Sequence, residues 1–267
     1  MELAVRQASA LASFRHAGRE ISLRVFGHRS GRHAEKTGLP LIVYFHGGYF
    51  DCGRADDADG IAAALADSAI VVTVDYPLAP TMQFPDTAEL AFAALLWARE
   101  HADAYGADGK RMFVAGDQAG GNLAAAAAMM ARDRVMPNGR SIRLKGQVLI
   151  TPMLDPHQTS SSMHASGECI CREGWAAYLP AVGDALHPYA APSQSRRLAD
   201  LAPALIVSTE SDAMRDEAEQ YATRLIVAGV PVHMRRLEGS SRRLLQPDHP
   251  DFPIIVATVS QFINDPG

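Results

Sequence analysis

Five short runs of this chain are almost uniformly apolar rather than alternating: Leu41-Ile42-Val43-Tyr44-Phe45, Ile70-Val71-Val72-Thr73-Val74, Met112-Phe113-Val114-Ala115, Val148-Leu149-Ile150-Thr151 and Ala204-Leu205-Ile206-Val207-Ser208. A strand of that kind is covered on both faces, the habit of a parallel sheet enclosed by helices. Helical segments separate the runs. Residues 56–66 carry acids in the first turn, favourable against the helix dipole. Residues 87–104 set Leu90, Ala94, Trp97 and His101 along one stripe. Further helices are expected at 120–132, at 212–228 (stopped by Gly229) and at 253–263. The alternation implies an α/β fold, with a mainly parallel sheet and helices on both sides.

Residues 21–26 and 230–235 alternate apolar with polar, so they are expected as antiparallel or edge strands. More than fifty residues separate Thr151 from Ala204, too many for a simple crossover. The stretch at about 154–190 is therefore expected as a cap-like insertion over the site, with a short helix near 173–179. No repeat or linker divides the chain, so residues 1–267 are expected as one domain.

With 48% hydrophobic and 21% charged residues, the chain can bury a sizeable core. Its net charge of −5 argues against nucleic acid or an anionic membrane surface as the main partner. Cys52, Cys169 and Cys171 are sparse and odd in number, which fits a reducing compartment. The spacing of Cys169 and Cys171 is not a usual zinc pair, and no metal is expected. There is no apolar stretch of signal-peptide or membrane-spanning character, so a cytoplasmic protein is expected.

The chemistry-bearing stretch is Val114-Ala115-Gly116-Asp117-Gln118-Ala119-Gly120-Gly121. An apolar run enters a glycine-bounded corner and a small-residue helix leaves it. That is the strand–turn–helix setting of a nucleophile elbow, G-x-S-x-G. Its centre here is Gln118, whose amide has no proton to lose at ordinary pH and is not an acyl-transfer nucleophile.

Four motifs occur in order: His46-Gly47-Gly48, Asp75-Tyr76-Pro77-Leu78-Ala79-Pro80, Gly116-Asp117-x-Ala119-Gly120-Gly121-Asn122-Leu123 and Asp212-x-Met214-x-Asp216-Glu217-Ala218. Together they resemble the hormone-sensitive-lipase branch of the α/β-hydrolases, over roughly residues 20–264. The resemblance implies an eight-stranded sheet, a cap over the site and no cofactor. Members of that family begin with extra cap helices. Only about 45 residues precede His46 here, which implies a reduced cap.

The resemblance also assigns roles. The main-chain N–H groups of Gly47, Gly48 and Ala119 would form the oxyanion hole. His46, Tyr49 and Asp117 would border it, with Tyr49 standing where the family has glycine. Asp212 takes the place of the triad acid. Arg242, in Gly239-Ser240-Ser241-Arg242-Arg243-Leu244, stands where the triad histidine is expected, and arginine stays protonated. Nucleophile and base are thus both replaced. A chain Asp212–Arg242–Gln118 is expected, the guanidinium pairing with the carboxylate and holding the amide oxygen.

Three functions follow as alternatives. The first is a non-hydrolytic descendant whose former active-site pocket binds a small acyl, carboxylate or enolate-type ligand, or a protein partner. The second is a lyase, cyclase or isomerase that uses the oxyanion hole. The third is a carboxylesterase in which His249, His157, His164, His46, Ser240 or Ser241 stands in for a lost group. Self-association is left open.

Overall fold

A computed structural model describes residues 10–28, 38–135, 141–166, 171–239 and 243–267. Eight strands form one sheet. They are β1 (Ala10–His16), β2 (Arg19–Phe26), β3 (Leu39–Phe45), β4 (Ile70–Val74), β5 (Ala107–Asp117), β6 (Leu144–Ile150), β7 (Ala204–Thr209) and β8 (Val232–Leu237). The spatial order is β1-β2-β4-β3-β5-β6-β7-β8. The pairs β1–β2 and β2–β4 are antiparallel and the rest parallel. The expected edge strand at 230–235 is β8, shifted to Val232–Leu237. The edge strand β1 lies ahead of the first strand expected from the sequence.

The uniformly apolar runs are the central strands, and their alternate residues feed two cores. Val43, Phe45, Val72, Val114, Leu149 and Ile206 face α2 (Asp86–His101), α3 (Gln118–Asp133) and α6 (Arg215–Val227). Ile42, Val71, Phe113, Val148 and Val207 face α1 (Asp59–Leu65) and α7 (Phe252–Asn264). The two remaining helices, α4 (Ser161–Ala165) and α5 (Cys171–Tyr178), fall in the long β6–β7 connection.

Helix α3 is buried from Ala119 through Ala131. Its alanines let a helix lie flush against the sheet on one side and α2 on the other. On α2 the buried set is Thr87, Ala88, Leu90, Ala91, Phe92, Ala94, Leu95 and Ala98. Trp97 of the expected stripe is half-buried against the core, and its ring stacks on exposed His101 with centroids 4.4 Å apart. Helix α6 begins three residues later than expected, because Asp212, Ala213 and Met214 form the turn leading into it. No helix among the described residues is long and apolar enough to cross a membrane.

Candidate functional site

The corner at the end of β5 is set by close backbone packing. A Cβ on Gly116 would lie 2.2 Å from the carbonyl oxygen of Gly120. A Cβ on Gly120 would lie 2.1 Å from the oxygen of Phe45 and 2.3 Å from that of His46. Glycine is therefore required by the approach of α3 to the end of β3. Between them Gln118 takes φ +48°, the left-handed conformation of an elbow residue. The turn is tied to the loop after β6: Met153 N–H donates to the Gln118 carbonyl at 3.0 Å, and buried Asn122 donates Nδ2–H to the Met153 oxygen at 2.9 Å. Glu217 of α6 accepts from Leu154 N–H at 2.9 Å, and burial raises its pKa well above the ordinary range.

Two of the three N–H groups expected to form an oxyanion hole are hydrogen-bonded within the protein. Gly48 N–H donates to Gln118 Oε1 at 2.8 Å. Ala119 N–H donates to the carbonyl of Gly48 at 3.1 Å. Gly47 packs against the carboxyl of Asp117, where a Cβ would lie 1.9 Å from Oδ2. Gly48 adopts φ +122°, and a Cβ there would lie 2.0 Å from the Cys52 oxygen. Tyr49 is half-buried, and its carbonyl abuts Gly174 of α5, where a Cβ would come within 1.7 Å. Phe50 stacks on Tyr178 of the same helix at 4.0 Å between centroids.

His46 is buried, its Nδ1 2.8 Å from the Gly47 oxygen and its ring stacked on Tyr76 at 4.2 Å. Burial lowers its pKa, and the Gly47 contact offsets part of that. The Asp117 carboxyl accepts from Tyr44 O–H at 2.9 Å. Burial pushes its pKa up to about 7 against the hydrogen bonds that stabilise the anion, with the charge of Asp57 adding to the rise. Asp212, in the β7–α6 connection, is 5% exposed, and its Oδ1 accepts from Met214 N–H at 3.0 Å.

Beside Gln118 lies a cavity of about 230 Å³. Gly47, Gly48, Asp117 and Gln118 line it, together with Asp57, Thr151 and Arg243, which the sequence did not single out. Two of these last three have a left-handed backbone that favours glycine, Thr151 at φ +42° and Arg243 at φ +59°. Arg243 pairs with Asp248 at 2.9 Å on the rim.

Arg242, Ser240 and Ser241 lie outside the described residues, and so does the expected Asp212–Arg242 pair. Cys169 lies outside them too, while Cys171 is buried in α5. His157 and His164 are exposed and do not line the cavity. His249 accepts from Asp251 N–H at 3.2 Å and is likewise absent from its walls.

The sequence matches a family described as having the alpha/beta hydrolase fold over residues 42–243. The chain belongs to the hormone-sensitive-lipase branch of the α/β-hydrolases. This α/β-hydrolase is 32% identical to an arylesterase of Saccharolobus solfataricus, over 79% of its own length and 70% of that protein. It is 38% identical to esterase LipI of Mycobacterium tuberculosis, over 76% of its length and 65% of the relative. With carboxylic ester hydrolase LipN of the same organism the match is 35%, over 79% and 59%. The matched region thus spans between three fifths and seven tenths of these relatives. An esterase of Pyrobaculum calidifontis superposes with a TM-score of 0.86 at 33% identity, over 97% of this chain and 86% of that one. The carboxylesterase EstE1 from a metagenomic library gives 0.86 at 30% identity, over 97% and 90%.

Proposed function

We propose that this α/β-hydrolase is an esterase-family protein that has given up ordinary ester hydrolysis and uses the cavity beside Gln118 to bind a small molecule. The observation that carries it is Gln118 itself. It occupies the elbow position with the elbow's left-handed φ of +48°, yet ends in an amide that cannot attack an acyl group. Relatives named as esterases support an ester-like or acyl-bearing compound as the ancestral ligand. A triad of Gln118, Asp212 and Arg242 would lack both nucleophile and base. We place the protein in the cytoplasm, with the insertion at 154–190 as its reduced cap.

A second function, proton transfer without acyl exchange, has one supporting observation. The carboxyl of Asp117 borders the cavity with a pKa of about 7, in the range of a general acid or base near neutrality.

The test is restoration. The native protein is expected to be silent toward p-nitrophenyl acetate and butyrate and unlabelled by fluorophosphonates. Gln118→Ser combined with Arg242→His is expected to give esterase turnover at least tenfold above either single variant, because such groups act as a unit. Serine labelling of the native protein, with turnover lost when that serine is replaced, would sink the proposal in favour of a substituted esterase.

A further inference from the structure

We infer that Gln118 is more than a lost nucleophile: with Gly48 it forms an autoinhibitory latch that keeps acyl and carboxylate groups out of the oxyanion site. The latch has two halves, one on each of the two peptide units that meet at Gly48. Gly48 offers its N–H to Gln118 Oε1 at 2.8 Å and its carbonyl to Ala119 N–H at 3.1 Å. The side chain of Gln118 thus presents a carbonyl oxygen to a donor that would otherwise receive a ligand's carbonyl. The Gly48 carbonyl does the same to the second donor. A bound oxyanion would need both N–H groups at once, roughly 2.7–3.1 Å from one point. Here two different protein oxygens hold them.

Only glycine fits the closed form. The φ of +122° at Gly48 lies outside the range of other residues, and a Cβ would meet the Cys52 oxygen at 2.0 Å. A turn of the Gly48–Tyr49 peptide meets no side chain at Gly48 itself. Opening requires two events: Gln118 swings out of contact with Gly48, and the Gly48 carbonyl leaves Ala119. The specificity of the site follows from Gln118: while its amide is in place, the cavity of about 230 Å³ admits ligands only along its other walls.

The inference rests on the elbow assignment above but is tested apart from it, with sodium butyrate as the probe and no ester present. Butyrate binding to the native protein, Gln118→Ala and Gln118→Ser would be measured by calorimetry. Amide hydrogen exchange of Gly48 would be followed by NMR in the unliganded proteins. Both variants are expected to bind butyrate at least tenfold more tightly than the native protein. Exchange at Gly48 is expected to accelerate in both variants. Equal affinity across the three proteins, or no binding by any of them, would overturn the latch. So would unchanged exchange at Gly48, because its N–H would then not be held by the Gln118 amide. Loss of the fold in both variants would overturn it as well, making Gln118 a structural prop. Ester turnover by the native protein sinks the proposed function instead, and reads separately from the affinity ratio.

Discussion

Under the proposed assignment the elbow at Gln118 and the connection at Asp212 are two places where catalytic groups would stand, and they differ in what holds them. At Asp212 the residue type of the triad acid remains, and it serves the structure, since its Oδ1 accepts from Met214 N–H at 3.0 Å in the turn that opens α6. At the elbow the backbone remains and the side chain does not. The turn is enforced by Gly116 and Gly120, whose neighbours leave no room for a Cβ. The side chain at that position, Gln118, is held by the hydrogen bond from Gly48 N–H.

The strongest way to break the comparison is to strike the elbow's frame rather than its side chain. Gly120→Ala places a methyl within 2.1 Å and 2.3 Å of two backbone oxygens, which cannot move without shifting the end of β3. We expect a loss of about 3 kcal/mol or more, seen as a fall in melting temperature of roughly 5–10 °C. An unchanged melting temperature would mean that the turn is not held by this packing.

A smaller effect comes from the carboxyl beside the elbow. Asp117 has its pKa raised to about 7 from an ordinary 3.8, chiefly by burial. The folded state therefore holds a proton that the unfolded chain releases between those values. The stabilisation is complete below about pH 4 and is lost as pH rises through 7. Glu217, raised for the same reason, acts with the same sign. The urea midpoint should fall between pH 5 and pH 7, with a ceiling of about 1.4 kcal/mol per pH unit for one group. Asp117→Asn, which keeps an acceptor for Tyr44 and cannot ionise, should flatten part of that slope. A midpoint that rises over this range would contradict the enclosed carboxyl.

Much of the sheet was legible because uniformly apolar runs have only one comfortable place, and Ile70–Val74 coincides with its expected bounds. Strand β1 was not, because Ala10–His16 is a half-exposed edge with no such run. The helical stripe ran one turn too far: Leu90, Ala94 and Trp97 meet the core, while His101 is exposed and stacks on Trp97. At the site, the sequence could place Gln118 in a turn from its flanking glycines. It could not reveal that the N–H groups of Gly48 and Ala119 are hydrogen-bonded within the protein, since those contacts depend on how two distant loops meet. Nor could it find Asp57, Thr151 and Arg243, which reach one cavity from separate segments of the chain.

The smallest expected effect sharpens the comparison most directly, by setting Gln118 and Asp212 side by side. Asp212→Ala removes a carboxyl that is 5% exposed and leaves Met214 N–H without its partner at the start of α6. That should cost about 1–2 kcal/mol, the usual loss when a cap or a buried hydrogen bond is cut. Gln118→Ala also removes a hydrogen bond, but Gly48 borders the cavity, where water can take the place of the amide oxygen. Its cost should stay below about 1 kcal/mol. Urea unfolding of both variants at pH 7 gives the two numbers. If Gln118→Ala proves the more costly, the amide is a structural keystone of the elbow and Asp212 is the position kept for something other than capping.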